Sequence, residues 1–417
     1  MKHANRHQRT VTRRTTLYLG SRFSGYGILA SASLLLVCFV SVRLADAMGG
    51  RVPTHSGYFV RVAIVPETAS LLLHVPGSYR LRGTSSSPVL HEGRGLYSVE
   101  VVPTSDGLRV GHFVIPGTGL HVETARDGII TVNGQRVRGQ LNILRLDDTR
   151  LRVINRVDLE DYLASVLVRE VPARWPMEVL KAQAIAARTY AVFQAAQRTS
   201  YDFDVTGDVS SQVYGGRSAE RRRTNQAVDA TRGQILAYQG QIFPAFFHAA
   251  CGGHTEAARA LWAIDLPPLA GRPCPFDQHS PYATWTGRVS LDHLAQQLRT
   301  EGVHVGRLER VEATAWTSSG RLQRVRLVGS QDSHTMSAKD FRMLVGVNVM
   351  KSTLVSLAVQ EGELILSGRG WGHGVGLCQW GAFGMAQAGY AAADIVQYYY
   401  PGAEIRSLPP VESLAAP

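Results

Sequence analysis

The chain has 417 residues, 45% of them hydrophobic, and a formal net charge of +11. That is ample for a sizeable core in one large or two ordinary domains. Lys2, Arg6, Arg9, Arg13, Arg14 and Arg22 supply more than half of the excess charge, and no acid precedes Asp46. The body is therefore only mildly basic, it lacks the basic and aromatic stripe that nucleic-acid binders use, and no nucleic-acid partner is expected.

The basic start leads into GILASASLLLVCFVSV (27–42) and then Ala45-Asp46-Ala47. A basic stretch, an apolar run and a small-residue site form a signal-peptide pattern over 1–47, with cleavage after Ala47. The run also approaches the ~17 residues needed to span a bilayer, so an uncleaved membrane anchor is the rival reading. Both predict an exported, extracytoplasmic body. Residues 48–56 (MGGRVPTHS) read as a linker.

From 57 to about 157, short runs such as YFVRVAIV, SLLLHV, LYSVEVV, GIITV and LRVINRV alternate in polarity and are split by Gly, Pro, Asp and Ser. They predict a β-rich region. The pattern then switches. Leu159, Leu163, Val166 and Leu167 have helical spacing, and Pro172 and Pro176 break it. Pro176 suits the first turn of a second helix, whose Leu180, Ala184, Ala187 and Ala191 form a small-residue face for close packing. Further on, 234–250 reads as two strands around a Gln-Gly turn, 289–302 as a helix, 309–338 as more strands, and DFRMLVGVN as a helix. The class is α+β: mixed sheets with a helical block, preceded by a β-rich N-terminal region.

In SGRGWGHGVGLCQWG (367–381), glycine occupies 368, 370, 372, 374 and 376. Read as an extended strand, this leaves one face bare and places Arg369, Trp371, His373 and Val375 on the other. A glycine strand is entropically costly, and a plain Gly-rich turn is the competing reading. Either another segment packs on the bare face, or a polymer ligand approaches the backbone. Neither phosphate-binding glycine pattern is present. Arg369, Trp371 and His373 together suit sugar stacking and the binding of hydroxyls or carboxylates.

Cys38 belongs to the apolar run, leaving Cys251, Cys274 and Cys378. Cys251-Gly-Gly-His254 and Cys274-Pro-Phe-Asp277 supply four potential ligands in zinc-like spacing, with His248 and His279 in reserve. The competing reading is a Cys251–Cys274 disulfide. The absence of H-E-x-x-H argues against a catalytic zinc, so no cofactor for catalysis is expected and any zinc would be structural. Cys378 reads as a small filler.

GRGWGHGVGLCQWGAFGMAQAGY followed by IVQYYYPG resembles the ending of the SpoIID/LytB family of sporulation lytic transglycosylases and amidase enhancers. LEDYLASVLVREVPARWPMEVLKAQAIAARTYA is similar to its other signature block, and SSQVYGG, ATRGQILAY and GGHTEA follow in the family's order. The resemblance covers about 140–403, with the β-rich 57–139 before it and a loose tail, 404–417, after it. It implies an exported enzyme that cleaves peptidoglycan glycan strands non-hydrolytically, in wall remodelling linked to sporulation. The alternative it implies is a non-catalytic wall-binding enhancer of an N-acetylmuramoyl-L-alanine amidase, which would then be a partner.

Glu170 is the catalytic candidate. It ends a helix just before Val171-Pro172, in apolar surroundings that would raise its pKa, and it matches the family's catalytic acid. Lys181 and Arg188 are seven apart on one helix face and carry functional weight in the family pattern. A cation too close to Glu170 would lower its pKa, so at least one of the two is expected to serve substrate or structure. Gln212, Tyr214, Trp371, His373, Gln379 and Tyr399 are the remaining substrate-binding candidates.

Overall fold

The computed structural model describes residues 57–83, 88–125, 128–208 and 212–408. The predicted export segment and linker lie outside them. No helix among the described residues is long and apolar enough to cross a membrane.

Ten strands between Phe59 and Asp158, joined by the short Val205–Thr206, form one eleven-stranded sheet. Its alternating sequences put one face inward: Leu71, Leu73, Val75, Tyr79 and Leu81 of strand Leu71–Gly83 are all buried. Phe59–Thr68 runs antiparallel to Leu151–Asp158, which runs antiparallel to Gln140–Arg145. Leu151–Asp158 passes directly into helix Leu159–Glu170, where the Asp158 carboxylate accepts the Glu160 amide at 2.9 Å and caps the helix. The long helix Met177–Gln197 packs beside it, and Leu180, Ala184, Ala187 and Ala191 are fully buried, as the small-residue face requires. Sheet and helices share one hydrophobic core.

Gln234–Tyr238 and Gln241–Ile242 form the expected hairpin, with Gln239 and Gly240 both at positive φ (50° and 80°). Such a pair matches the twist of the flanking strands. On its other side Gln234–Tyr238 pairs with Glu404–Ser407, so the tail predicted from 404 begins after a strand.

A second core lies between residues 285 and 366. It is built from two three-stranded sheets, with helices Leu291–Thr300 and Ala338–Val345 capped by the Ser290 and Ser337 hydroxyls. The sequence pattern identified these elements but not that they form a core of their own.

The glycine segment takes the turn-like rather than the extended of its two expected forms. Beyond Gly368, which ends the paired strand Glu363–Gly368, only Leu377–Cys378 pairs as a strand, parallel to Phe247–His248, with isolated bridges Ala250–Trp371 and Glu256–Val375. Gly370, Gly372, Gly374 and Gly376 have φ of 75°, 109°, 88° and 71°, so the chain curls rather than alternates. Of the two expected compensations, another chain segment supplies the contact. A Cβ at Gly370 would lie 2.6 Å from the Ala250 oxygen, one at Gly372 2.8 Å from the His248 Cβ, and one at Gly376 2.0 Å from the Phe246 oxygen.

Gly376→Ala is therefore expected to cost about 2–5 kcal/mol, combining left-handed strain with overpacking. Gly389 has φ 91° but open space around its would-be Cβ, so Gly389→Ala should cost only the strain, about 1–2 kcal/mol. Chemical denaturation compares the two, and equal losses would refute the packing argument.

Candidate active site

Glu170 owes its position to local sequence. Val171 precedes Pro172, which disfavours helical backbone, and it adopts φ −136°, ψ 144°. The helix stops there, and the Glu170 side chain reaches a cavity of about 380 Å³. Tyr190, Phe246, Phe247, Trp262 and Trp371 form its aromatic walls, and His373 and Gln379 also line it. Burial pushes the Glu170 carboxyl up to about 7, and the Val213 amide and the Gln379 side chain temper the rise by donating hydrogen bonds to it. No cation is among the causes of the shift.

The expectations for the other candidates divide. Trp371, His373 and Gln379 line the same cavity as Glu170. Trp371 is edge-on to Tyr282, with the Lys351 ammonium 5.0 Å from its ring centroid. His373 has both ring nitrogens engaged within the protein. Its Nδ1 accepts the Val375 amide at 3.0 Å, and the ring bonds the Phe247 backbone. Burial pulls it down to about 3, so the imidazole is neutral and braces the glycine segment instead of binding ligand charge.

Gln212 and Tyr214 do not line the cavity. Tyr162 donates to the Gln212 side-chain oxygen at 2.8 Å, and the Tyr214 hydroxyl donates to Asn155 at 2.7 Å, both in the core. These two anchors hold the intervening Val213, whose backbone N–H is the group that meets Glu170. Side-chain chemistry carries no signal for that role.

Lys181 and Arg188 are likewise absent from the cavity walls. Lys181 pairs with Glu178 at 2.8 Å, and Glu178 also accepts the Ala392 amide, so the pair ties the long helix to Ala392–Tyr399. Arg188 is wholly buried in a two-pronged ion pair with Glu160, at 3.0 and 2.7 Å, and donates as well to the Gln234 and Val228 carbonyls. Breaking such a pair leaves an uncompensated buried charge, which typically costs about 3–5 kcal/mol. The distance of both cations from Glu170 resolves the conflict over its pKa. Tyr399 is also buried, its hydroxyl 3.1 Å from the Cys274 sulfur.

The cysteines depart from the expected ligand set. Cys251, Cys274 and Cys378 are all free thiols, so the alternative Cys251–Cys274 disulfide is not formed. The donor atoms of Cys251, Cys274 and Asp277 lie within 4.8 Å of one another, as do those of His248, Cys251 and Cys378. His254 belongs to neither group and its Nδ1 lies 2.6 Å from the Thr255 carbonyl oxygen. Cys378 is more than a filler. Its sulfur caps helix Gln379–Gln387 by accepting the Gly381 amide and also accepts the Cys251 amide. The His248 Nε2 is buried without a hydrogen-bond partner. Thiols, an imidazole and a carboxylate gathered this closely fit a zinc ion. Sequence spacing held His248 only in reserve, although His248-Ala249-Ala250-Cys251 has ligand spacing, and it missed Cys378, which stands in no such pair.

Tyr190, Phe246, Phe247 and Trp262 were also missed. Each reads as core aromatic in sequence, and only the fold turns them toward a common space.

An acidic group raised to about neutrality among aromatic walls defines a carboxyl-centred binding cavity in an α+β protein. Comparison with known proteins supplies the family. Residues 147–238 match the family described as SpoIID, Stage II sporulation protein, and residues 275–376 match a domain of unknown function. The chain is 32% identical over 350 residues to an uncharacterized protein of Brachyspira hyodysenteriae, covering 83% of this chain and 92% of that one. It is 30% identical over 268 residues to stage II sporulation protein D of Bacillus amyloliquefaciens, covering 60% and 75%. It is also 30% identical over 293 residues to the amidase enhancer of Bacillus subtilis, where it spans 59% of its own length and 40% of the relative. The chain belongs to the SpoIID/LytB family.

Gln379 donates to the ionised form of Glu170, so removing it should raise the carboxyl further. Gln379→Leu is expected to shift the Glu170 titration upward by roughly one unit, the equivalent of one hydrogen bond to a charged group. Carboxyl NMR titration reads it, and an unmoved midpoint would show that the contact carries no weight.

Proposed function

We propose that the protein is an exported lytic transglycosylase that cuts peptidoglycan glycan strands with Glu170 as its single acid and base, in cell-wall remodelling of the kind the sporulation relatives' names suggest. The observation that carries this reading is a carboxyl raised to about 7 by burial inside an aromatic cavity. Near neutral pH such a group is still partly protonated, so it can donate a proton to the glycosidic oxygen as the C1–O bond breaks. The 6-hydroxyl of the same sugar then attacks C1 and returns its proton to the Glu170 carboxylate, leaving a 1,6-anhydro ring. No water enters, and one carboxyl suffices where hydrolases usually need two. Trp371, Trp262 and Tyr190 offer faces and polar tips suited to sugar rings.

The second reading, a non-catalytic enhancer of a wall amidase, is favoured by the similarity to the amidase enhancer. The two differ in product. With purified glycan strands the enzyme yields anhydro-muramoyl ends by mass spectrometry, and Glu170→Gln should lower their rate by about 10²–10⁴-fold. The rate should also fall as pH rises above about 7, because the proton-donating form is lost. No anhydro ends from folded parent protein would leave only the enhancer.

We further propose that Cys251, Cys274 and Cys378, with Asp277 or His248, hold a structural zinc ion that ties the 246–251 segment to the glycine segment. The ion supplies cross-linking there. Metal analysis of the purified full chain should give about one zinc per chain, lost in Cys251→Ser together with a lower melting temperature. A metal-free parent protein with three titratable thiols would refute it.

A further inference from the structure

Two residues before Trp371, the chain crosses a second and larger hollow. It is an open trough of about 700 Å³ on the face of the sheet formed by Trp285–Ser290, Val355–Gln360 and Glu363–Gly368. Arg369 stands at its end and is exposed. Among the described residues no hydrogen bond or ion pair engages the Arg369 guanidinium, and no Asp or Glu lines the trough. Hydroxyls line it instead, from Thr284, Thr286, Ser356 and Ser367. Gly368 is bare because its Cβ would lie 2.3 Å from the Trp285 ring, whose Nε1 donates to the Gly370 carbonyl at 2.8 Å. The indole thereby fixes the trough to the glycine segment.

Proximity to the Glu170 cavity follows from the chain itself. Arg369 borders the trough and Trp371 borders the cavity. Two residues span at most roughly 7 Å. Backbone bonds from the Arg369 amide to the Leu354 oxygen and from the Gly372 amide to the Lys351 oxygen hold both against the inserted core. Lys351 over Trp371 adds a second cation at the junction.

We propose that this trough is a second glycan subsite, in which Arg369 binds a carboxylate on the acid side branch of a muramic acid residue neighbouring the one at Glu170. The hydroxyls would receive the sugar's own hydroxyls. A planar guanidinium with no acid beside it is matched to a carboxylate by its two-pronged donors. The inference rests on the glycan-strand reading given above and extends it to substrate selection. The carboxylate has two sources on such a strand: the free lactyl group after peptide removal, or the attached peptide.

The test measures binding by full-length protein carrying Glu170→Gln, with and without Arg369→Gln or Arg369→Lys. The probes are end-labelled glycan strands of three kinds: peptide-free, peptide-bearing, and peptide-free with the lactyl carboxyls converted to methylamides. Arg369→Gln should weaken binding about tenfold on one carboxylate-bearing strand, Arg369→Lys should weaken it less, and neither should matter for the methylamide strand. Whichever strand shows the loss identifies the source. Equal binding by all variants to all strands, or an equal loss on the methylamide strand, overturns the proposal. Because these chains are made catalytically silent, failure of the transglycosylase reading appears separately, as missing anhydro ends from the parent protein.

Discussion

The structure depends on one close approach of backbone to backbone. The glycine segment lies so near Phe246–Cys251 that a methyl group at Gly370, Gly372 or Gly376 would collide with it. From that contact follow the position of Trp371 on the cavity wall, the bracing of His373 against Phe247, and the meeting of Cys251 with Cys378. Side chains cannot substitute here, because the positive φ angles and the missing space point the same way. A buried arginine from the inserted core completes the joint: Arg321 donates to the Cys251 carbonyl at 2.5 Å and sits where a Cβ on Gly374 would stand.

Charge is partitioned with equal consequence. Arg188 is spent on Glu160 inside the helical block, and Lys181 on Glu178 at its edge. Neither reaches Glu170, which keeps only neutral donors, the Val213 amide and Gln379. An acid that must hold a proton near neutrality needs burial without a nearby cation, and this arrangement provides it. The cations open to solvent beside the cavity, Lys351 and Arg369, come from the borders of the inserted core instead. The raised carboxyl and these cations thus come from different parts of the chain.

The second core accounts for part of the distance in sequence between the two long signature blocks. The chain leaves the thiol cluster after Asp277, folds its own sheets and helices, and returns as the glycine segment. Thr317 and Ser319 donate to the buried Glu256 carboxylate at 2.6 and 2.9 Å, and Arg321 follows at once. One turn of the insertion therefore supports the segment that forms the cavity's far wall.

Local pattern was enough to reveal the alternating strands of the β-rich region, the small face of the long helix, the Gln239-Gly240 turn and the helix end that presents Glu170. Each is dictated by spacing, by proline, or by residues that tolerate positive φ, all properties of neighbours in the chain. The same pattern left the glycine segment open between strand and turn, because alternation describes a strand only when every φ is negative. It assigned Gln212, Tyr214, Lys181 and Arg188 to the substrate although Gln212, Tyr214 and Arg188 pair within the core and Lys181 pairs with Glu178 at its edge, and it chose His254 over Cys378 and His248 for the thiol cluster. Those choices depend on which residues the fold brings within a few ångströms, and so does the contact of the Val213 amide with Glu170, which has no side-chain signature. The sequence determined which groups were present and which local shapes they could take. Only tertiary packing decided which of them met, because burial and pairing are settled mostly by contacts that close loops of tens to more than a hundred residues.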